Sequence, residues 1–232
     1  MKKKILITGS SGFISKKLSN YLKKKNYKVF CTSRNKNDIY YFDLKKVYNS
    51  KHTIPKFDIL IHLAYFKGRS YYEEKKYNIN GSKNIFSIAK NNNAKIIFIS
   101  SQSANSNSYS NYGKIKYELE SIAADFDAFI IRPGLIYEKD TNMGIFGKIE
   151  TFLNFINNIV VNDFDNYKKI INLFEKENYN LEDLVKYISK MHNKKIKVIL
   201  INYKIILNFL KLLEFFNVGL GLRADSLKSL IR

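Results

Sequence analysis

Short apolar runs alternate along the first part of the chain with longer segments of helical periodicity. The clearest runs are residues 4–8, 27–33, 57–64, 94–101 and 127–134. Each run is continuous rather than alternating, which is typical of a strand buried on both faces. A weaker run, residues 39–44, predicts one further short strand between the second and third of these.

Helical spacing of apolar residues separates the runs. Residues 13–25, 70–92 and 112–126 fit this spacing, and in the first of them Ile14 and Leu18 share a face. Strands that alternate with helices indicate an α/β fold with a parallel sheet covered on both sides. Since crossovers between parallel strands are right-handed, we predict a Rossmann-type doubly wound sheet.

The pattern loosens after about residue 138. Helical periodicity is visible in residues 144–161, 180–191 and 203–216, a strand is predicted for residues 195–202, and a short helix for residues 225–231. We therefore predict an NAD(P)-binding Rossmann domain in residues 1–137. A reduced C-terminal substrate-binding region follows in residues 138–232. The alternative is that this region and the Rossmann domain are interleaved.

The net charge of +20 suggests an anionic partner. The types of basic residue that supply this charge, however, argue against specific recognition of such a partner. Only five of the 40 basic residues are arginines, whereas recognition of nucleic acids favours Arg forks. Lysines are scattered through the chain together with Asn, Ile, Tyr and Phe, all of which have AT-rich codons. We interpret the charge as genome composition on a solvated surface and expect no specific nucleic-acid binding.

Cysteine, histidine and hydropathy patterns narrow the class of protein further. Cys31 is the single cysteine, so no disulfide forms within the chain, and the three histidines lack metal-ligand spacing. The longest apolar stretch, around residues 198–216, is interrupted by Lys204, Lys211 and Glu214, which fits a docked amphipathic helix better than a membrane span. We expect a cytoplasmic protein with neither a metal nor a membrane span.

The segment "TGSSGFIS" links the first strand to the first helix through a glycine turn. Gly9 and Gly12 allow the backbone to approach a pyrophosphate, whose charge the free N–H groups and the dipole of the following helix stabilise. Ser15 stands where a third glycine would serve close helix packing. The alternative is an ordinary glycine turn between a strand and a helix.

This turn resembles the T-G-x-x-G-x-x-G pattern of extended short-chain dehydrogenases/reductases, and further motifs follow it in order. They are "IHLA" (61–64), "NINGSKNIF" (78–86), "FISSQSA" (98–104), "YGKIK" (112–116), "RPGLIY" (132–137) and "NLEDLVKYI" (180–188). Within that superfamily the chain is similar to the NAD-dependent epimerase/dehydratase enzymes that act on nucleotide sugars. The resemblance implies a Rossmann fold and a nicotinamide dinucleotide.

Tyr112 and Lys116 are the predicted catalytic pair, because a spacing of four puts them on one helical face. A neighbouring ammonium and an oxidised nicotinamide are expected to lower the pKa of Tyr112 from about 10, so that it can exchange a proton with a substrate oxygen. Ser101 is expected to bond that oxygen, with Ser100 and Ser103 as neighbouring alternatives. The competing interpretation is a chance Tyr–Lys pair on a lysine-rich surface.

The resemblance also implies a set of cofactor contacts, including Lys116 on the nicotinamide ribose. The set is Gly9, Ser11, Gly12, Phe13, Ile14, Ser33, Arg34, Asp43, Leu44, Leu63, Ala64, Tyr65, Asn78, Ser100, Tyr112, Lys116, Pro133 and Gly134. Ser33 and Arg34 follow the second strand, where an NAD enzyme commonly has an acid and where these two side chains would suit a 2′-phosphate. We therefore predict NADP, with NAD as the alternative.

These observations predict an NAD(P)-dependent enzyme that oxidises, reduces or epimerises a carbon of a nucleotide-activated sugar, in surface polysaccharide biosynthesis. Tyr112 transfers the proton, and an NADP preference favours a reductase over an epimerase or dehydratase. The alternative is a non-catalytic dinucleotide-binding protein of the same fold that senses redox state or acts as a scaffold. A homodimer is compatible with either function.

Overall fold

The computed structural model describes most of the chain up to residue 134 and separate segments after it. The described residues are 2–34, 40–46, 54–134, 136, 149–162, 168–173, 182, 186, 189, 190, 193, 195, 201–216 and 224–228. They form six strands and six helices. In chain order these are β1 (Lys4–Thr8), α1 (Phe13–Lys24), β2 (Lys28–Thr32), β3 (Ile59–His62), α2 (Tyr71–Asn91), β4 (Lys95–Ile99), α3 (Asn111–Asp125), β5 (Phe129–Pro133), α4 (Ile149–Val161), β6 (Ile170–Leu173), α5 (Tyr203–Phe215) and α6 (Ala224–Lys228).

All six strands are parallel and lie in the order β2-β1-β3-β4-β5-β6. A single parallel bridge between Ser33 and Tyr41 continues the sheet beyond β2. With that bridge in the place of an outer strand, the order is that of a doubly wound dinucleotide-binding sheet. The predicted Rossmann-type fold is therefore confirmed.

Two predicted features of the strands are wrong. Residues 40–44 were expected to belong to a strand but form only the bridge at Tyr41, because Asp43 accepts a hydrogen bond from Lys45 N at 3.0 Å and turns the chain. Conversely, β6 was not expected. Its residues alternate between exposed and half-buried positions at the sheet edge, so no continuous apolar run marks it in the sequence.

The two faces of the sheet bury separate apolar clusters. Odd-numbered positions of β1, such as Ile5 and Ile7, face α1 and α4, while Leu6 faces α2 and α3. Leu18 of α1 and Phe86 of α2 are both fully buried against the sheet. Burial of this kind on both faces explains why the strands read as continuous apolar runs.

The later part of the chain contributes to both layers of the Rossmann sheet. Helix α4 packs in the same apolar cluster as α1, and β6 pairs with β5. The boundary at residue 137 stays a prediction. Most of the predicted helix at residues 180–191 and strand at 195–202 lie outside the described residues, and none of the described helices has the length and apolar character of a membrane span.

The strand order reverses at β1, which lies between β2 and β3. Parallel sheets bind ligands outside the carboxyl ends of their strands at such a point. Here those ends are Thr8 and His62, which stand opposite each other in the register of β1 and β3. The fold thus predicts a ligand cleft formed by the two segments that follow these residues.

Candidate active site

The glycine turn after β1 has the geometry of a close backbone approach. Gly9 adopts φ +74°, which favours glycine, and a Cβ atom there would lie 2.8 Å from Ala64 Cα. The turn therefore fits directly against the segment that follows β3. Gly12 accepts a hydrogen bond from Lys16 N at 3.0 Å and is the N-cap of α1.

The first turn of α1 exposes backbone donors to this cleft. Gly12 has no side chain with which to cap the N–H groups of Phe13, Ile14 and Ser15, and the first turn contains no acidic residue. Such a helix start attracts an anion through its free N–H groups and its dipole. The cradle that a Cβ at Gly9 would fill, together with these donors, fits the diphosphate of a dinucleotide.

A buried hydrogen-bond chain holds the cleft walls together. Thr8 Oγ1 accepts hydrogen bonds from Leu63 N and Ala64 N, each at 3.2 Å, so its hydroxyl proton is left to donate to His62 Nδ1 at 2.7 Å. His62 Nε2 consequently donates to Ser82 Oγ at 2.9 Å. Burial, with a smaller contribution from Lys116, lowers the pKa of His62 to about 3, and the imidazole is neutral and structural.

Asn78 forms buried hydrogen bonds with the backbone of Phe66 and Glu74. Its Oδ1 accepts from Phe66 N at 2.9 Å, and its Nδ2 donates to the carbonyls of Phe66 and Glu74, both at 2.7 Å. Both amide hydrogens are therefore used, and the side chain is fully buried. These contacts assign Asn78 to holding the loop that contains Leu63, Ala64 and Tyr65; direct contact with a cofactor stays a prediction.

The serine and tyrosine of the predicted catalytic set meet at the carboxyl end of β4. The Ser101 hydroxyl lies near the Tyr112 phenol and acts on its pKa. Ser101 Oγ also accepts from Ser103 N at 3.2 Å and lies 2.9 Å from Ser103 Oγ. Gly113 permits this approach, since a Cβ there would lie 2.3 Å from Ser103 O. Of the serines considered, Ser101 is thus the one whose hydroxyl affects the pKa of Tyr112.

Burial outweighs the expected lowering of the pKa of Tyr112 in the protein itself, and the part of that lowering assigned to an oxidised nicotinamide stays a prediction. Burial raises that pKa from 10.0 to about 12, and the nearby Ser101 hydroxyl only partly offsets it. Sequence reasoning considered the charges near the phenol but not the loss of water around it. Tyr112 is therefore a neutral phenol at neutral pH.

Lys116 is buried among aromatic rings next to Tyr112. Its Nζ donates to Ile99 O at 2.7 Å and lies 4.7, 5.4 and 5.8 Å from the ring centroids of Phe98, Tyr65 and Tyr112. Burial lowers the pKa of Lys116 to about 7, while Glu120 one helical turn away counteracts that effect. The predicted pair on one helical face is therefore present, but its ammonium charge is weakened.

Glu120 connects Ser100 and Arg132 next to the site through hydrogen bonds. The sequence did not lead us to predict this role. Its carboxylate accepts from Ser100 Oγ at 2.5 Å, from Arg132 Nε at 2.8 Å and from Arg132 Nη2 at 2.5 Å. Ser100 is thereby directed into this network and is nearly inaccessible. The signal in the sequence was the spacing of four between Lys116 and Glu120, which repeats the Tyr112–Lys116 spacing on the same face.

Tyr65 adds a second tyrosine to the site. Its ring lies edge-on to that of Tyr112 with centroids 4.8 Å apart, and its hydroxyl donates to Glu74 Oε1 at 2.8 Å. Burial, and then the Glu74 charge, raise the pKa of Tyr65 well above its usual value. The two phenols therefore lie side by side, and both are protonated at neutral pH.

The remaining predicted cofactor residues fall at the cleft margins. Ser33 is buried and Arg34 is exposed directly after β2, where the 2′-phosphate was expected. Ser11 is exposed, while Leu44 is buried against Gly81. Asp43 accepts from Tyr41 OH at 3.3 Å. None of these positions conflicts with a cofactor contact, and their roles stay predictions.

Pro133 and Gly134 continue β5 at the same edge of the sheet. Pro133 O accepts a hydrogen bond from Gln102 N at 3.3 Å, and Gly134 N donates to Leu173 O at 2.7 Å. These backbone bonds connect the serine loop after β4 to the edge strand β6. Within the described part of the chain, no group of three or more His, Cys, Asp or Glu residues is arranged to hold a metal ion.

Comparison with known proteins identifies the family. Residues 5–123, just over half of the chain, match the model of the NAD dependent epimerase/dehydratase family. The match contains the glycine turn, Ser101, Tyr112 and Lys116, and it confirms a nicotinamide dinucleotide as the cofactor class. No curated protein matches the chain.

Solved structures share the fold at low sequence identity. A dTDP-4-dehydrorhamnose reductase from Bacillus anthracis in complex with NADP is 18% identical, with 87% of this chain and 85% of that chain covered and a TM-score of 0.67. UDP-N-acetylglucosamine 4-epimerase from Bacillus cereus is 16% identical, with coverages of 99% and 98% and a TM-score of 0.64. L-threonine dehydrogenase from Clostridium difficile is 18% identical, with coverages of 98% and 95% and a TM-score of 0.70.

Proposed function

Because the chain belongs to the NAD-dependent epimerase/dehydratase family, we propose that it is an NAD(P)-dependent oxidoreductase that reduces a keto carbon of a nucleotide-activated sugar. The observation that carries the proposal is the grouping of Ser101, Tyr112 and Lys116 at the edge of the sheet where the glycine turn opens, with Lys116 Nζ 5.8 Å from the centroid of the Tyr112 ring. A protein that only binds a dinucleotide has no need of this arrangement. Surface polysaccharide biosynthesis is the process in which we place the reaction.

The protonation state of Tyr112 supports the reductive direction. A carbonyl oxygen that receives a hydride at its carbon needs a proton, and a phenol with a pKa of about 12 carries one at neutral pH. Ser101, beside that phenol, would direct its single hydroxyl proton to the substrate oxygen and donate a hydrogen bond to it. The oxidative direction would first require Tyr112 to lose its proton against the cost of burial.

When bound, the nicotinamide dinucleotide supplies the hydride. The Gly9–Gly12 turn and the start of α1 would hold its diphosphate, and Lys116 its nicotinamide ribose. An incoming hydroxyl could replace Ile99 O as the partner of Lys116 Nζ, because that bond is to a backbone oxygen rather than to a fixed counter-ion. Leu63 and Ala64, bonded to Thr8, would form the opposite wall.

The preference for NADP over NAD rests on the end of β2. Ser33 and Arg34 are in position after that strand, with no acidic side chain at either residue. We expect Arg34→Ala to weaken NADP binding about tenfold, since it removes one charge-assisted contact, and to leave NAD binding unchanged. An equal effect on both dinucleotides would remove Arg34 from the choice of cofactor.

The proposed activity is tested with NADPH and NADH against a panel of dTDP- and UDP-4-keto sugars and UDP-hexoses. Wild-type protein should oxidise NADPH with at least one keto sugar, and Tyr112→Phe should lose about 100-fold or more of that rate while it binds NADPH normally. Tyr109→Phe is the matched control, because Tyr109 is 65% exposed and precedes Tyr112 by three residues. Turnover retained in Tyr112→Phe would refute the proton-transfer role.

The same panel should include L-threonine with NAD, because the substrate class rests on family resemblance. Activity on L-threonine alone would exclude the nucleotide sugar but keep the Tyr112 chemistry. Dinucleotide binding without turnover on any compound would favour the non-catalytic alternative.

A further inference from the structure

The C-terminal helix α6 contacts the beginning of α3 through one carboxylate. Asp225 Oδ1 accepts a hydrogen bond from Asn111 N at 2.7 Å, and Asp225 Oδ2 accepts one from Tyr112 N at 3.2 Å. Both donors belong to the first turn of α3, where no helical carbonyl can accept them. A side chain 113 positions further along the chain thus holds the turn that contains Tyr112.

The third donor of this turn is satisfied locally. Ser110, the N-cap of α3, accepts from Gly113 N at 3.0 Å. The turn therefore has two caps of different origin, one from the adjacent residue and one from the far end of the chain. Ser110 Oγ satisfies only one donor of this turn, and Asp225 accepts from two others, so the complete capping of the turn depends on α6.

Asp225 is itself connected to the rest of the C-terminal region. The preceding residue, Ala224, is buried and donates its N–H to Glu214 Oε1 of α5 at 2.8 Å. A continuous path of hydrogen bonds therefore runs from α5 through α6 to the backbone of Tyr112. The α5 and α6 segments lie within residues 138–232, the region predicted to bind substrate.

The charge of Asp225 also reaches the site. It contributes to the raised pKa of Tyr65, after the larger effects of burial, Glu74 and Tyr112. Because the Tyr65 ring lies against that of Tyr112, a change in the position of α6 alters both the backbone support and the electrostatic surroundings of the two phenols.

We infer that Asp225 is a positioning residue for Tyr112, and that it couples the C-terminal region to the candidate active site. Its two hydrogen bonds fix the backbone from which the Tyr112 side chain extends, so that the phenol meets Ser101. The consequence for turnover rests on the proposed function. The coupling itself is a property of the folded chain and is measurable without a substrate.

The test compares Asp225→Ala with Ser110→Ala in the full-length chain. Each substitution removes a cap from the same turn, but only the first disconnects α6. We expect Asp225→Ala to lower kcat about tenfold or more, since small misplacements of a catalytic group are costly, with KM for NADPH changed less than about twofold. Asp225→Asn, which keeps one acceptor oxygen, should lie between Asp225→Ala and wild type.

A second readout needs no turnover. The tyrosinate absorbance titration of each protein is subtracted from that of its Tyr112→Phe counterpart, which isolates Tyr112 among the 17 tyrosines. We expect Asp225→Ala to lower the pKa of Tyr112, because water admitted to the loosened turn would reduce the burial that raises this pKa. Amide hydrogen exchange should rise in Asn111, Tyr112 and α6 in this variant only.

The outcomes of these experiments test the coupling through Asp225 separately from the proposed function. If Ser110→Ala and Asp225→Ala change the Tyr112 titration and α6 exchange alike, Asp225 is a simple cap and the inference is wrong. If wild-type protein turns over no substrate, the proposed function fails. The titration and exchange comparison still decides the coupling in that case.

Discussion

The two ends of the described chain are held in different ways. Around the sheet, residues such as Leu6, Phe86 and Phe152 are buried almost completely. On α5, by contrast, Phe209 is 54% exposed and Phe215 is 78% exposed. The first region is therefore stabilised mainly by apolar burial. In the second, hydrogen bonds from α3 to Asp225 connect α6 to the site.

This difference has a consequence for the site. The glycine turn and the serine loop follow strands whose positions the buried sheet fixes, so the cofactor side of the cleft is preformed. Tyr112 lies at the meeting point of the two regions, since its phenol is near Ser101 and its backbone N–H donates to Asp225. The effects of substitutions on the stability of the protein should therefore differ in kind and in size between the two regions.

Among the polar residues, the largest loss of stability is expected for the buried charge network. Glu120→Gln removes the charge that pairs with Arg132 and places amide hydrogens against its donors, which should cost about 3 kcal/mol of unfolding free energy. Denaturant unfolding measures this. Glu118→Gln on the same helix is the control, because the ion pair of Glu118 with Lys75 is exposed and should contribute less than about 1 kcal/mol. Equal losses in the two variants would show that Glu120 is not a buried anchor.

Substitution in the glycine turn should give the next loss of stability in order of size. Gly9→Ala forces a Cβ atom towards Ala64 at positive φ and should destabilise the protein by roughly 1–3 kcal/mol. Gly12→Ala is the matched control, because Gly12 has φ −72° and its added Cβ would lie 3.3 Å from Gly9 O. Thermal unfolding of both variants should show the larger loss at Gly9. A larger loss at Gly12 would contradict the close approach of the turn to Ala64.

Lys116 should make stability depend on pH. Its pKa is lowered from 10.5 to about 7 by burial, so between these two values the unfolded chain binds more protons than the folded one. Unfolding free energy therefore rises with pH across this window, by at most about 1.4 kcal/mol per pH unit. This rise of unfolding free energy with pH should be absent in Lys116→Met. It should be present in Lys211→Met, because Lys211 is exposed on α5. Parallel pH profiles for wild type and Lys116→Met would show that the lysine is not buried as described.

The smallest effect is expected on α5. Phe209→Ser replaces an exposed side chain and should change unfolding free energy by less than about 0.5 kcal/mol. Phe152→Ala, in the core, should cost about 3–5 kcal/mol. A large loss from Phe209→Ser in a denaturant titration would mean that the apolar face of α5 is packed in solution.

The sequence predicted the parts of the fold that depend on buried periodic patterns. The five strong apolar runs all contain strands, because their residues face a layer of helices on both sides. Apolar runs did not predict the strands correctly at the edges of the sheet. There Tyr41 forms one bridge, and Ile170 begins a half-exposed strand. At the site, the spacing of Tyr112 and Lys116 predicted their proximity. The raised pKa of Tyr112 and the contact from Asp225 were not predictable, since both arise from residues brought together by folding.

The central claim is that the cleft at the Gly9 turn binds a nicotinamide dinucleotide. Calorimetric titration of the wild-type chain with NADP and NAD tests this most directly, with Gly9→Ala measured in parallel. We predict one site per chain, tighter binding of NADP than of NAD, and weaker binding of both by Gly9→Ala. The absence of binding by either dinucleotide, or unchanged affinity in Gly9→Ala, would contradict the account.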